Sequence, residues 1–129
     1  MVADLAKELL IKPQSRVLLL NAPIGHARKL QPLPDGVTVV DRRSHTPSDV
    51  AIVFVRDAAE LKRLQSGFGA LEQEGILWVC FPKGGAKAGT DIDRDVLRAA
   101  LERDELTAVS LIAFDETWSC MRLRTPEDE

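Results

Sequence analysis

The chain is poor in the residues from which specialised proteins are built. It has no tyrosine, two cysteines, two histidines and a net charge of only −3. The lack of a basic excess excludes a protein that coats nucleic acid. Cys80 and Cys120 are too few and too far apart to form the disulfide framework of a small secreted domain. No apolar run reaches the ~18 residues of a membrane span. The opening Met1-Val-Ala-Asp-Leu carries an early acid and no signal-type apolar stretch, so a cytoplasmic protein without membrane contact is expected. A reducing cytoplasm would keep both thiols free. What is present is a globular balance, with 45% hydrophobic and 29% charged residues over 129 positions. A chain of this size can bury roughly two-thirds of its unfolded surface in one core. One domain over residues 1–125 is expected, with an acidic tail over 126–129.

Apolar periodicity supplies the elements. Leu5, Leu9 and Leu10 share a helical face over residues 2–11, with Pro13 as the stop. Arg16-Val-Leu-Leu-Leu-Asn21 is apolar on both faces, the pattern of a central parallel strand. A short helix over 24–30 and a turn through Pro32, Pro34 and Asp35-Gly36 lead to a β-branched strand, Val37–Asp41. Val50–Val55 is a third strand. Asp57 and Glu60 have the side chains to open a helix. Leu61, Leu64, Phe68 and Leu71 line that helix, Gly67 and Gly69 weaken its middle, and Gly75 ends it. Ile76–Phe81 is a fourth strand, followed by a flexible loop over 82–89. Thr90, Asp91 or Asp93 caps a last helix reaching Arg103, with Val96, Leu97, Ala100 and Leu101 as its buried stripe. Thr107–Phe114 and Ser119–Arg124 are the closing strands.

Strands alternating with helices argue an α/β fold, a parallel sheet covered on both faces. The connection between the last two strands is too short for a crossover, so they form an antiparallel hairpin. The expected class is a three-layer Rossmann-like sheet, mostly parallel, of a reduced methyltransferase-like kind. The runner-up is a flavodoxin-like sheet with an extra edge strand. In the first arrangement the last strand inserts beside the fourth. Cys80 and Cys120 then face each other across the ladder, whereas a separation much beyond ~10 Å would favour the second.

Ligands of open α/β sheets bind beyond the carboxyl ends of the strands. Asn21, Asp41, Lys83 and Asp115 stand at those ends and are the candidate binding residues, together with Lys87 and Trp118. The loop Asn21-Ala-Pro-Ile-Gly25 has one of the three glycines of a dinucleotide fingerprint, and Pro23 removes an amide that could hold phosphate. Asp41 stands where an acid grips a ribose diol. Lys83-Gly-Gly-Ala-Lys87 combines lysines with free amides, a composition that favours an anion, although it is not a P-loop. His26, His45, Cys80 and Cys120 map near one sheet edge, but none is paired at ligand spacing, so no metal is assigned. His26 reads as a capping or surface residue. Ser119 lacks a Gly-x-Ser-x-Gly elbow. Trp118, in a turn, reads mainly as packing and secondarily as an interface anchor.

Lys12-Pro13, Arg16-Val17, Asn21-Ala22-Pro23, Trp78-Val79, Pro82-Lys83, Thr90-Asp91 and Asp115-Glu-Thr-Trp-Ser119 with Arg122-Leu123 together resemble a family of small bacterial proteins known only as a domain of unknown function. The resemblance runs from about Leu9 to Leu123. It departs at Gly84, where family members often carry a second lysine. It implies a bacterial, cytoplasmic α/β protein and transfers no catalytic residue or cofactor. The function expected is the binding of a small anionic or nucleotide ligand. The alternatives are a small S-adenosylmethionine-dependent methyltransferase-like enzyme and a protein interaction module, homodimeric through an exposed edge strand or Trp118.

Overall fold

The structure is a computed structural model that describes residues 4–125. The expected acidic tail over 126–129 and the first residues of the leading helix lie outside the described residues.

The leading helix, α1 (Leu5–Glu8), is a single turn. Asp4 caps it by accepting from the Lys7 amide at 3.2 Å. It ends well before Pro13. Leu10 adopts φ +67°, and the amides of Leu10 and Ile11 donate back to the carbonyls of Lys7 and Ala6. That is a Schellman stop, with leucine where glycine is usual. The arrangement buries Leu5, Ala6, Leu9 and Ile11.

The strands are β1 (Arg16–Leu20), β2 (Thr38–Val40), β3 (Val50–Phe54), β4 (Ile76–Pro82), β5 (Thr107–Ala113) and β6 (Trp118–Arg124). They form one sheet in the order β2-β1-β3-β4-β6-β5. The first four are mutually parallel. β6 is antiparallel to both of its neighbours, so β5 runs with the first four. The final strand therefore inserts beside β4, as the methyltransferase-like order requires, and the flavodoxin-like order is excluded.

The helices α2 (Ala58–Leu64), α3 (Phe68–Glu74) and α4 (Arg94–Glu102) cover one face. Their Leu61, Phe68, Leu71, Leu97 and Leu101 pack on Leu18, Val53, Val79 and Met121. A 3-10 turn, Gln65–Gly67, separates α2 from α3 at the glycine that weakens the middle of the expected single helix. Val96, expected in the buried stripe, is 42% exposed. The helix is rolled so that Leu97 and Leu101, one turn apart, point into the core instead.

The opposite face is covered thinly, by α1 and a 3-10 turn at His26–Leu30. Trp78 is buried there, and its indole donates to the Leu9 carbonyl at 3.0 Å. A buried ring with a polar atom needs such a partner. The end of α1 is thus tied to the middle of the sheet.

Two further expectations are corrected. Cys80 and Cys120 are not free: they stand directly opposite each other in the β4–β6 ladder, with α-carbons 4.1 Å apart, and form a disulfide. Directly opposed antiparallel positions of this kind lie within bonding reach. The loop after β4 is not a free coil. It contains a 3-10 turn, Gly85–Ala88, and is pinned to α2: Thr90 Oγ1 donates to the Arg56 carbonyl at 2.6 Å and Asp91 accepts from the Ala58 amide at 2.8 Å. Of the three capping candidates Asp93 caps α4, accepting from the Val96 amide at 2.9 Å.

Two outcomes test this packing. The disulfide closes a loop between residues 40 apart, so its reduction is expected to lower the unfolding free energy by up to ~4 kcal/mol, read from urea curves with and without a thiol reductant. At Gly75 an added Cβ would overlap the Ser48 and Asp49 carbonyls. Gly75→Ala is expected to cost at least ~1–3 kcal/mol in the same assay.

Candidate functional site

The parallel strands deliver Asn21, Asp41, Lys83 and Asp115 to one edge of the sheet, but the edge divides into three separate neighbourhoods. The order β2-β1-β3 makes the gap between β1 and β3 the topological switch point, where open α/β sheets place their ligand. Asn21 fills that gap. It follows β1 with φ +60°, a conformation asparagine tolerates. Its Nδ2 donates to the Phe54 carbonyl at 2.8 Å, so its side chain bridges the crevice. Glu60 lies beside it. Burial by itself raises the Glu60 carboxyl, but the Arg56 amide, the Asn21 side chain and the Arg56 guanidinium outweigh that and hold it below the usual carboxylate range. The Arg56 amide donates to Glu60 at 2.7 Å, and the guanidinium at 3.0 Å. The single turn at 26–30 gives this crevice no long helix to aim at a phosphate.

Asp41 lies apart. Its side chain is 88% exposed and its nearest cation, Arg42, is 3.8 Å away.

Asp115 is the centre of the second neighbourhood. It sits in the β5–β6 turn, where Oδ1 accepts from the amides of Thr117 and Trp118, both at 2.8 Å. Its Oδ2 binds Lys29 Nζ at 2.5 Å and stands 3.6 Å from His26 Nε2. The carboxyl therefore holds the 26–30 turn down on the hairpin. His26 is not a surface residue. Its ring stacks on Phe114 at 5.6 Å and meets Phe54 edge-on. Trp118 opens β6 and is buried, its ring edge-on to Phe54 at 5.0 Å. It faces the core rather than the mouth of the sheet. Burial raises the Asp115 carboxyl, but Lys29 and the two amides prevail and lower it.

The third neighbourhood is a depression of about 370 Å³ beyond the carboxyl end of β4. Lys83, Gly84, Gly85, Arg94, Asp93 and Ser119 are among its lining residues. Lys83 is exposed and, among the described residues, forms no ion pair. Arg94 reaches Asp95 at 3.8 Å. Asp93 is engaged in capping α4. Gly84 and Gly85 have φ of +93° and +49°, which lets the chain turn tightly against α4. Lys87 stands exposed on the same turn but outside the lining.

Sequence reasoning found Lys83 and Asp115 but not their surroundings. Lys29 and His26 come from a segment far from Asp115, Arg94 and Ser119 reach the Lys83 hollow from other elements, and no local pattern assigns them there. A metal site would have needed both cysteine sulfurs, which bond to each other, and His45, which is exposed in the loop before β3. Among the described residues no group of three histidine, cysteine or acidic side chains is placed to hold a metal ion. No helix is long and apolar enough to cross a membrane among those residues.

Sheet order and layers together define a Rossmann-like domain of the reduced methyltransferase-like kind. No protein-family model and no curated protein matches the chain. Solved structures share its fold. That of an uncharacterised protein from Listeria monocytogenes serotype 4b superposes over 98% of this chain and 69% of its own, with a TM-score of 0.52 and 10% identity. The structure of LepI in complex with SAM covers 94% of this chain and 39% of LepI, with a TM-score of 0.50 and 17% identity. The chain thus spans well under half of LepI. At such identities the likeness concerns the fold alone.

The Asp115 knot has a pH signature. A carboxyl lowered on folding adds stability that is complete above its unfolded value and is lost as pH falls through its folded value. Asp115→Asn is expected to cost ~1–3 kcal/mol at neutral pH and to flatten the acid limb of the stability curve below pH ~4, measured by urea unfolding at falling pH.

Proposed function

We propose that this protein is a binding domain for a small anionic ligand, a phosphate-bearing metabolite or nucleotide, seated in the depression beyond β4. The observation that supports it is the convergence of Lys83, Arg94 and Ser119 on one hollow at the edge where this class of sheet binds its ligands. The lysine offers a point charge, the guanidinium a planar fork and the hydroxyl an adaptable donor. Asp93 is already engaged by the Val96 amide and Asp95, the second acid of the lining, by Arg94, which reduces their repulsion of an anion. Among the described residues no hydrogen bond joins Ser119 to a base, so the reading is of binding rather than covalent chemistry. Asn21, Asp41 and Asp115 fall outside this seat, and Lys87 borders its turn.

S-adenosylmethionine is the second reading, because the LepI neighbour was solved with SAM. Its place would be the switch-point crevice, and the Asn21 bridge to Phe54 counts against it. A bacterial cytoplasm is the proposed setting on the resemblance set out above. The Cys80–Cys120 bond counts against that compartment, and trapping free thiols in fresh lysate decides between the two.

Calorimetry and thermal shift with pyrophosphate, ATP and S-adenosylmethionine test the proposal. A phosphate ligand is expected to raise the melting temperature, and a Lys83→Ala/Arg94→Ala variant to lose that shift while keeping its unliganded melting temperature. No response to any phosphate sinks the reading. Binding of S-adenosylmethionine that survives the double variant transfers the function to the crevice.

A further inference from the structure

The two ends of the sheet are finished differently. β2, at one edge, has only three residues, a length that gives little template for another strand. β5, at the other edge, has seven, Thr107-Ala-Val-Ser-Leu-Ile-Ala113. None of the seven is charged and none is proline. Such an edge lacks the devices that normally keep strands from pairing between molecules, apart from one irregularity between Ala108 and Ser110. Its outer ladder has no partner strand among the described residues. Val109 is 42% exposed and Leu111 45% exposed, two of the few large apolar side chains on the surface.

The flank of this edge is self-complementary. A hollow of about 460 Å³ runs between α4 and β5, bordered by Arg94, Arg98 and Glu102 on the helix and by Ala108 to Leu111 on the strand. Arg94 and Leu111 also border the depression at the carboxyl end of β4, so the basic end of this row lies toward that edge. Residues four apart stack along one side of a helix. The row is therefore basic at one end, where Asp95 partly offsets the two arginines at 3.8 and 4.0 Å, and acidic at the other.

We propose that β5 pairs antiparallel with β5 of a second copy of this chain, joining two sheets into one across a two-fold axis at Ser110. A two-fold interface brings one surface against itself, reversed. With the axis at Ser110, Leu111 of each copy lies beside the axis, opposite the backbone of Val109 of the other, the residue that the bulge leaves out of the β6 ladder. The same rotation carries the Glu102 end of one α4 toward the Arg94 and Arg98 end of the other. An edge without charge brings no like charges together when it pairs with itself. This proposal stands apart from the ligand reading and needs no ligand.

Sedimentation equilibrium over a range of concentrations reads the outcome directly. The wild-type chain is expected to be dimeric at high micromolar concentration and to dissociate on dilution. Leu111→Lys is expected to be monomeric throughout, with an unchanged circular dichroism spectrum because the side chain is exposed. Glu102→Arg, on the helix surface, is expected to weaken the dimer, and adding Arg94→Glu and Arg98→Glu to restore it. A wild-type chain that stays monomeric throughout overturns the proposal. A dimer that survives Leu111→Lys and is indifferent to the charge exchange overturns it equally, since its contact then lies elsewhere.

Discussion

The insertion of β6 between β4 and β5 is the constraint on which the rest of the molecule depends. The first four strands would by themselves form a small parallel sheet. A further parallel strand beside β4 would need another crossover, and the short turn after β5 does not supply one. The chain instead reverses and slides its last strand into the middle of the sheet. That choice sets Cys80 opposite Cys120 and brings Ser119 to the mouth of β4, beside Lys83. It also leaves β5 outermost. The disulfide joins the one antiparallel strand to the parallel core at the seam between them.

The thin layer over the second face has its own logic. One helical turn and one 3-10 turn replace the long helices expected of a doubly wound sheet. They suffice because each is tied by a polar contact to a buried aromatic region. Trp78 holds the carbonyl that ends α1. Asp115 holds Lys29, and His26 fits among Phe54, Phe114 and Trp118. The consequence for function is direct. No long helix follows β1, the N-terminus of α2 after β3 is already capped by Asp57, and Asn21 spans the switch-point crevice. The hollow shifts along the sheet to β4, where Asp91 and Asp93 brace the loop by capping neighbouring helices. Two short helices and a pinned loop thereby form one hydrogen-bonded rim.

How much was legible depended on the range of the interaction. Six strands, the capping acid Asp57, a choice of three caps that included Asp93, and a weak point near Gly67 were all visible, because period and capping are local properties. The antiparallel hairpin followed from a loop length, and its insertion made the proximity of the two cysteines legible as well. Their bonding was misjudged, since it was argued from compartment and not from geometry. Val96 misled because adjacent helix residues point about 100° apart, and only packing decides that Leu97 rather than Val96 faces the sheet. Leu10 misled in the same way: nothing local announces that a leucine will adopt a left-handed conformation to end a helix.

The sequence by itself determined the class of fold, the order of its elements and the edge of the sheet where polar residues gather. These follow from backbone periodicity, caps and connection lengths, which act over a few residues. Only the tertiary structure decided which of those polar residues meet. Asp115 finds Lys29 across 86 positions of chain, Arg94 and Lys83 come to line one hollow, and Asp41 finds little beyond its neighbour Arg42. Contacts at that range depend on how strands are ordered and how helices roll, and no short stretch of sequence carries that information.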